Sequence, residues 1–136
     1  MKKVLLILVT LILFFSAGLR LWNLDKYPSG IQVDEVSFGY NAYSILKTGR
    51  DEFGQFLPLT LRSFDDNKAA IYAYFDIPFV AIFGLTGFAV RLPTALFGIG
   101  LVGLTYLLTF ELTKNKKTAV LATFLVAVSP VSLVLS

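Results

Sequence analysis

Two adjacent carboxylates, Asp34 and Glu35, are the residues whose type and spacing most directly suggest chemistry. A carboxylate can take a proton from an acceptor hydroxyl as a general base, and it can also bind a hard cation. The pair follows shortly after a hydrophobic segment long enough to cross a bilayer, so we expect it near a membrane surface. The structural alternative for Asp34 is a helix N-cap, a position that aspartate favours.

The chain has no cysteine and no histidine. Their absence excludes disulfides, thiolate nucleophiles, a Ser-His-Asp triad and any metal site built on His or Cys. Any metal cofactor would therefore be a hard divalent cation, Mg²⁺ or Mn²⁺, with Asp34 as its candidate ligand. The net charge of +3 comes from scattered basic residues, so no nucleic-acid partner is predicted.

The composition predicts a membrane protein, because 56% of the residues are hydrophobic and only 15% are charged. Backbone groups in lipid must be satisfied within the segment, so apolar blocks of spanning length are predicted to be helices. We therefore predict an all-α integral membrane protein with three to four transmembrane helices, forming a single membrane domain over 1–136. The apolar blocks are 4–21, 71–88, 92–112 and 118–135.

Lys2 and Lys3 precede the first block, which predicts an uncleaved signal-anchor with a cytoplasmic N-terminus. A multi-pass plasma-membrane protein follows, with residues 22–70 as a long extracytoplasmic loop. The crossing count depends on block 71–88, which contains Asp76 and Pro78. A carboxylate is costly in lipid, so Asp76 is expected either to face protein as a candidate functional residue or to lie in a water-exposed turn. If that block crosses, the basic loop 114–117 lies outside, against the positive-inside rule; if it does not, this loop is cytoplasmic. The sequence slightly favours four crossings and leaves both counts open.

The 22–70 loop is predicted to be partly helical. Asp34 would cap a helix whose first turn carries Glu35, and Gly49 would stop it. Apolar residues at helical spacing predict an amphipathic helix on the membrane surface. These residues are Val36, Tyr40, Tyr43 and Leu46.

The order of short motifs resembles the start of a type-C membrane glycosyltransferase. The resemblance is to the group that contains dolichyl-phosphate-mannose protein mannosyltransferases and bacterial lipid A aminoarabinose transferases, and it covers nearly the whole chain. No single motif is specific, but their order around the apolar blocks is distinctive. The motifs are Asp34-Glu35, the GRDEFG of 49–54, the LPL of 57–59, the NKAAIY of 67–72, the FG of 83–84, the RLPTALFG of 91–98 and Ser129-Pro130.

The resemblance implies a polyprenyl-phosphate sugar as donor and a hydroxyl of a lipid, glycan or protein as acceptor, on the extracytoplasmic side of the bilayer. It implies Asp34 as the catalytic base, with Glu35 orienting the acceptor or sharing a metal. Lys68 and Arg91 match the cationic positions that would bind the donor phosphate. The chain departs from the family pattern after Lys68, where two alanines stand in place of the usual prolines.

Family members have more spans, so the chain is expected to be the N-terminal part of a larger glycosyltransferase and need not be active alone. The alternative is a small non-catalytic integral membrane protein, or one half of a split assembly. In that case Lys68 and Arg91 anchor helix ends at the membrane interface. Asp51 and Glu52 are interpreted as solvated loop charges.

Overall fold

The computed structural model describes residues 2–26, 30, 32–63 and 66–129. The fold is mostly helical, as predicted, but the long loop also contains two short strands that were not predicted. Only one residue of these strands, Leu61, is a large apolar side chain, so no alternating pattern marks them. In chain order the elements are α1 Lys2–Leu21, α2 Val33–Thr48, β1 Thr60–Ser63, β2 Asp66–Ala69, α3 Ile71–Phe83, α4 Gly87–Thr113 and α5 Lys116–Val128.

The chain divides into two compact units. The first contains residues 1–22 and 94–136, and the second contains residues 23–93. The second unit therefore holds almost all of the predicted 22–70 loop together with α3 and the first residues of α4. Helix α4 begins in the second unit and continues into the first.

In the first unit, α1 and α5 pack side by side and run in the same direction. The start of α1 faces the start of α5, since Leu8 and Leu11 share a shallow groove with Lys117 and Leu121. At the other end, Arg20 Nη1 lies 3.4 Å from the carbonyl oxygen of Ala127. The buried residues of α5 are small and four apart, which permits a close approach between helices: they are Ala119, Thr123 and Ala127.

One helix among the described residues, α4, is long and apolar enough to cross a membrane. With 27 residues it measures about 40 Å. Shorter apolar segments are Ile7–Leu21 and Ile71–Phe83. The predicted fourth block is helical up to Val128, and its residues 130–135 lie outside the described part of the chain.

The helix predicted in the long loop is present as α2, and its place on the membrane surface stays a prediction. Asp34 does not cap it. The N-cap is Gln32, in an extended conformation, so Asp34 is the second residue inside the helix. An anionic side chain is still favourable there, because the first turn carries unpaired N–H groups. The predicted stop at Gly49 is confirmed, since Gly49 is the C-cap with φ +69° and its N–H bonds to the carbonyl of Ile45.

The core of the second unit lies where α2, α3 and the start of α4 meet. Its buried side chains are small, and Leu61 of β1 adds a larger one. The two strands pair antiparallel, with Leu61 opposite Lys68, and β2 leads directly into α3. The buried hydrophobic residues are Ala42, Leu61, Ala70, Ala73, Val80 and Ala89.

Helix α2 approaches α4 most closely at Gly39. A β-carbon at this position would lie 2.6 Å from Val90 Cγ2 and 3.3 Å from Leu85 Cδ1. The Val90 distance is shorter than van der Waals contact, and Val90 belongs to a buried part of α4. The position therefore requires glycine for packing.

We expect Gly39→Ala to lower the unfolding temperature measured by circular dichroism in detergent micelles. Overpacking costs about 1–3 kcal/mol, which exceeds the gain of about 0.5–1 kcal/mol from removing a helical glycine. Gly100→Ala is the matched control, because Gly100 lies in α4 and a β-carbon there meets nothing within 4 Å. A Gly39→Ala chain that unfolds at or above the parent temperature would contradict this assignment.

Candidate functional site

The structure pairs the predicted base with one of the predicted phosphate ligands. Lys68 Nζ on β2 donates a hydrogen bond to Asp34 Oδ1 in the first turn of α2, and the two form a salt bridge. The lysine side chain is only 16% exposed, whereas the Asp34 carboxylate is 63% exposed. Asp34 therefore presents its carboxylate to the surroundings beside a largely covered ammonium group.

Lys68 is positioned by the hairpin and by an aromatic ring. Its β2 position is set by pairing with Leu61, which is buried, and Lys68 Nζ lies 5.7 Å from the centre of the Phe38 ring. The backbone N–H of Ala70 donates to Leu59 O at 3.1 Å. A proline at position 70 could not make this bond, so hairpin pairing here fixes the lysine without the usual prolines.

The second carboxylate, Glu35, forms a bidentate ion pair with Arg91. Arg91 Nε donates to Glu35 Oε1 at 2.9 Å, and Nη2 donates to Oε2 at 3.0 Å. Two parallel bonds of this kind give both strength and orientation. Glu35 Oε2 also accepts the backbone N–H of Gln32 at 2.9 Å, so Glu35 closes the first turn of α2.

The Arg91 guanidinium also holds the segment between α1 and α2. Its Nη1 donates to Leu24 O at 3.0 Å, and its Nη2 donates to Gly30 O. The side chain is 6% exposed. Arg91 is thus a buried cation whose donors face a carboxylate and two carbonyls, and this geometry favours a positioning role over donor-phosphate binding.

Two opposing effects set the Glu35 pKa. Burial raises it, but the hydrogen bond from Arg91, the hydrogen bond from Gln32 N–H and the positive charge of Arg91 lower it by more. The net result is a pKa below the ordinary glutamate value, so Glu35 is ionised at neutral pH. An ionised carboxylate that binds one arginine through both oxygens is suited to holding its neighbours in place rather than to transferring a proton.

An open groove of about 280 Å³ lies next to this ion pair. Its walls are mainly apolar, with the Glu35 carboxylate at one side and the turn between α3 and α4 at the other. The residues that line it are Glu35, Val36, Tyr40, Leu85, Thr86, Gly87 and Val90.

The described residues do not by themselves provide a metal site. Within the described part of the chain no group of three or more acidic residues is placed to hold an ion. Asp34, the predicted ligand, bonds to an ammonium group through Oδ1. A divalent cation usually needs several oxygen ligands, and the described residues around Asp34 do not supply such a set.

Asp51 and Glu52 were predicted to be solvated, and this prediction is wrong for Asp51, whereas Glu52 is exposed. Asp51 is 5% exposed, and its Oδ1 accepts the N–H groups of Phe53 and Gln55. Glu52 Oε1 accepts from the Asn41 amide at 2.9 Å, and Asn41 Oδ1 accepts Glu52 N–H at 3.1 Å. The Asp-x-x-Gly spacing is a turn signal that could have identified Asp51. No local sequence pattern predicts the contact between Glu52 and Asn41, because the two residues lie 11 positions apart.

Asp76 of α3 is fully buried between helices. Neither of its carboxylate oxygens has a hydrogen-bond partner among the residues that the structure describes. The sequence left two alternatives for this residue, a water-exposed turn and a position facing protein. Its burial supports the second.

The family model described as "Dolichyl-phosphate-mannose-protein mannosyltransferase" matches residues 9–136. No curated protein and no solved structure matches the chain.

Because the Glu35–Arg91 pair is largely buried, removing one partner should destabilise the chain strongly. We expect Arg91→Gln and Glu35→Gln each to lower the free energy of unfolding by about 3–5 kcal/mol, because each leaves a buried charge unpaired. The double variant should lose less than the sum of the two single losses. Chemical denaturation in micelles, followed by circular dichroism, measures all three.

The exposed pair Glu111–Lys114 is the matched control, and its Gln variants should change stability little.

The stability supplied by Glu35 should also depend on pH. Because the folded-state pKa of Glu35 is lowered, its contribution to the free energy of unfolding is present above the unfolded-state pKa of about 4.3. That contribution is lost as the pH falls through the folded-state pKa. The stability gap between parent and Glu35→Gln should shrink on acidification. Additive losses, or a gap that widens in acid, would contradict the pairing.

Proposed function

The chain belongs to the dolichyl-phosphate-mannose-protein mannosyltransferase family, and on that basis we propose that it transfers a sugar from a polyprenyl-phosphate donor to an acceptor hydroxyl outside the cytoplasm. This family membership confirms the resemblance inferred from the motifs, and it indicates a membrane glycosyltransferase. The sugar, the lipid and the acceptor belong to the proposal. The observation that carries it is the exposed Asp34 carboxylate held beside Lys68 at the start of a helix in the outer loop.

Asp34 is the proposed general base. It takes the proton of the acceptor hydroxyl while the oxygen attacks the anomeric carbon of the donor sugar. The bond between that carbon and the phosphate oxygen breaks, and polyprenyl phosphate leaves with the electron pair. The leaving phosphate is already a stable anion, so the reaction depends more on a base for the acceptor than on an acid for the leaving group.

Lys68 is the proposed partner of the donor phosphate. Its ammonium group donates a hydrogen bond to Asp34 Oδ1. A bound phosphate, carrying more charge, would compete with the carboxylate for the ammonium. Donor binding would then loosen Asp34 from Lys68 and leave it able to accept a proton, while Lys68 stabilises charge on the leaving group.

Arg91 and Glu35 are proposed to position these two residues rather than to contact the donor. The sequence assigned Arg91 to the phosphate, and that assignment stays a prediction. The bonds of Arg91 to Glu35, Leu24 O and Gly30 O favour a structural part instead, because they hold the first turn of α2, in which Asp34 lies.

We further propose three membrane crossings, by α1, α4 and α5, with α3 lying outside the hydrocarbon core. Helix α3 carries the buried Asp76 and packs against α2, in the unit of residues 23–93, whereas α5 packs along α1 in the other unit. The parallel packing of α1 and α5 is independent support. Two parallel spans require an odd number of crossings between them, and α4 supplies one. The lysines of 114–117 are then cytoplasmic, as the positive-inside rule expects.

Asp34→Asn should lower sugar transfer by about 10²–10⁴ in rate, the usual value of a general base, with the protein still inserted and folded. The assay is transfer from polyprenyl-phosphate mannose in membranes that contain the full-length protein. Lys68→Gln should instead weaken donor use, by about 1.5–3 kcal/mol for a lost charged hydrogen bond. The two variants therefore separate the roles of base and phosphate ligand.

Asp25→Asn is the matched control, since Asp25 is an exposed aspartate of the same outer segment. It should transfer sugar at the parent rate. Near-normal transfer by Asp34→Asn would reduce Asp34 to a structural residue and would favour the alternative of a non-catalytic membrane protein.

The crossing count predicts opposite sides for Gln55 and Asn115. The chain lacks cysteine, so Gln55→Cys should react with an impermeant maleimide on intact cells, and Asn115→Cys should react only after permeabilisation. Labelling of Asn115→Cys on intact cells would mean four crossings.

A further inference from the structure

The loop between α2 and β1 exposes four large apolar side chains. Phe53 and Phe56 are each 63% exposed, Leu57 is 51% exposed and Leu59 is 86% exposed. Single exposed apolar residues are ordinary, but a cluster within seven residues marks an interaction surface. We call residues 53–59 the apolar loop. It contains neither Asp34 nor Lys68.

The apolar loop is rigidly built. Arg50 Nη1 donates to Gly54 O at 2.8 Å, and Leu57 N–H donates to Gly49 O at 3.0 Å. Asp51 accepts two further N–H groups inside the turn, as described above. Leu57 adopts a φ of +41°, which a leucine rarely takes and which the surrounding bonds must maintain.

The loop is also fastened to the helices on both sides. Glu52 and Asn41 exchange two hydrogen bonds, which join its start to α2. Tyr74 Oη donates to Pro58 O at 3.0 Å, which joins its end to α3. The four apolar side chains are therefore held outward by a preorganised backbone, and preorganisation lowers the entropic cost of binding.

Among the described residues around the loop, exposed cations outnumber exposed anions. Lys47, Arg50 and Arg62 are exposed, Asp51 is buried, and the exposed Glu52 accepts a hydrogen bond from the Asn41 amide. Aromatic and aliphatic side chains flanked by cations are the composition of segments that lie in the headgroup region of a bilayer. Anionic phospholipids complement such a surface.

The position of the loop along α2 also favours the bilayer. The face of α2 opposite its packed side is exposed and spaced at helical intervals, and Arg91, near the start of the spanning helix α4, bonds to the first turn of α2. An α2 that lies along the membrane surface keeps the apolar loop at that same depth. The exposed face consists of Val33, Val36, Tyr40, Tyr43 and Lys47.

We propose that the apolar loop inserts Phe53, Phe56, Leu57 and Leu59 into the interfacial region of the outer leaflet, with neighbouring cations at anionic headgroups. It would be a second membrane attachment for the unit formed by residues 23–93, at the far end of α2 from Arg91. This attachment would fix the tilt of α2 against the bilayer.

Site-directed spin labelling tests the proposal in the full chain, which has no native cysteine. Phe53→Cys, Phe56→Cys and Leu59→Cys are labelled with a nitroxide and reconstituted in phosphatidylcholine vesicles with and without phosphatidylglycerol. Gln55→Cys is the matched control, an exposed polar position in the same loop. Collisions with oxygen report lipid, and collisions with a water-soluble nickel chelate report water.

We expect the oxygen-to-nickel collision ratio to be several-fold higher at the three apolar positions than at Gln55, and to rise further with phosphatidylglycerol. A ratio equal to that of Gln55 would show that the loop faces water and would overturn the proposal. Low collision rates with both reagents would show that protein covers the loop, which would overturn it as well. Leu61→Cys, at a buried position, calibrates that outcome.

Discussion

The arrangement of the unit formed by residues 23–93 depends on one buried cation, Arg91. Its guanidinium bonds to Glu35 in the first turn of α2 and to two carbonyls of the segment that follows α1. A buried charge is costly unless every bond is satisfied, so the carbonyls and the carboxylate cannot move independently. One side chain at the start of α4 thereby fixes where α2 begins.

The position of Asp34 in the candidate site depends on this contact between Arg91 and Glu35. Asp34 is adjacent to Glu35, so the turn that holds Glu35 against Arg91 also sets the direction of the Asp34 side chain. The hairpin then brings Lys68 to the same place from the other side, because the pairing of β1 with β2 sets its register. The two carboxylates lie in different environments. Glu35 binds Arg91 through both oxygens and is largely covered, whereas Asp34 is exposed beside the Lys68 ammonium group. Adjacent residues of one type can serve different purposes because of what packs around them.

The same part of the chain also shows how loop charges can be structural. Asp51 closes a turn, and Glu52 with Asn41 ties that turn to α2. Asp51 is buried by these bonds, while the apolar side chains of the loop and three neighbouring cations stay exposed. A rigid loop of this kind is suited to a surface with both lipid tails and headgroups.

The sequence by itself determined the membrane character, the presence of the helix that became α2, its glycine stop and the family. Each of these depends on local information: apolar block length, helical spacing, a left-handed cap and the order of short motifs. Only the tertiary structure decided that Asp34 pairs with Lys68, that Arg91 pairs with Glu35 and that Asn41 pairs with Glu52. These partners lie 34, 56 and 11 residues apart. The apolar pattern that predicts helices records burial, not which polar groups meet, so ion pairs between distant segments leave no periodic trace in the chain.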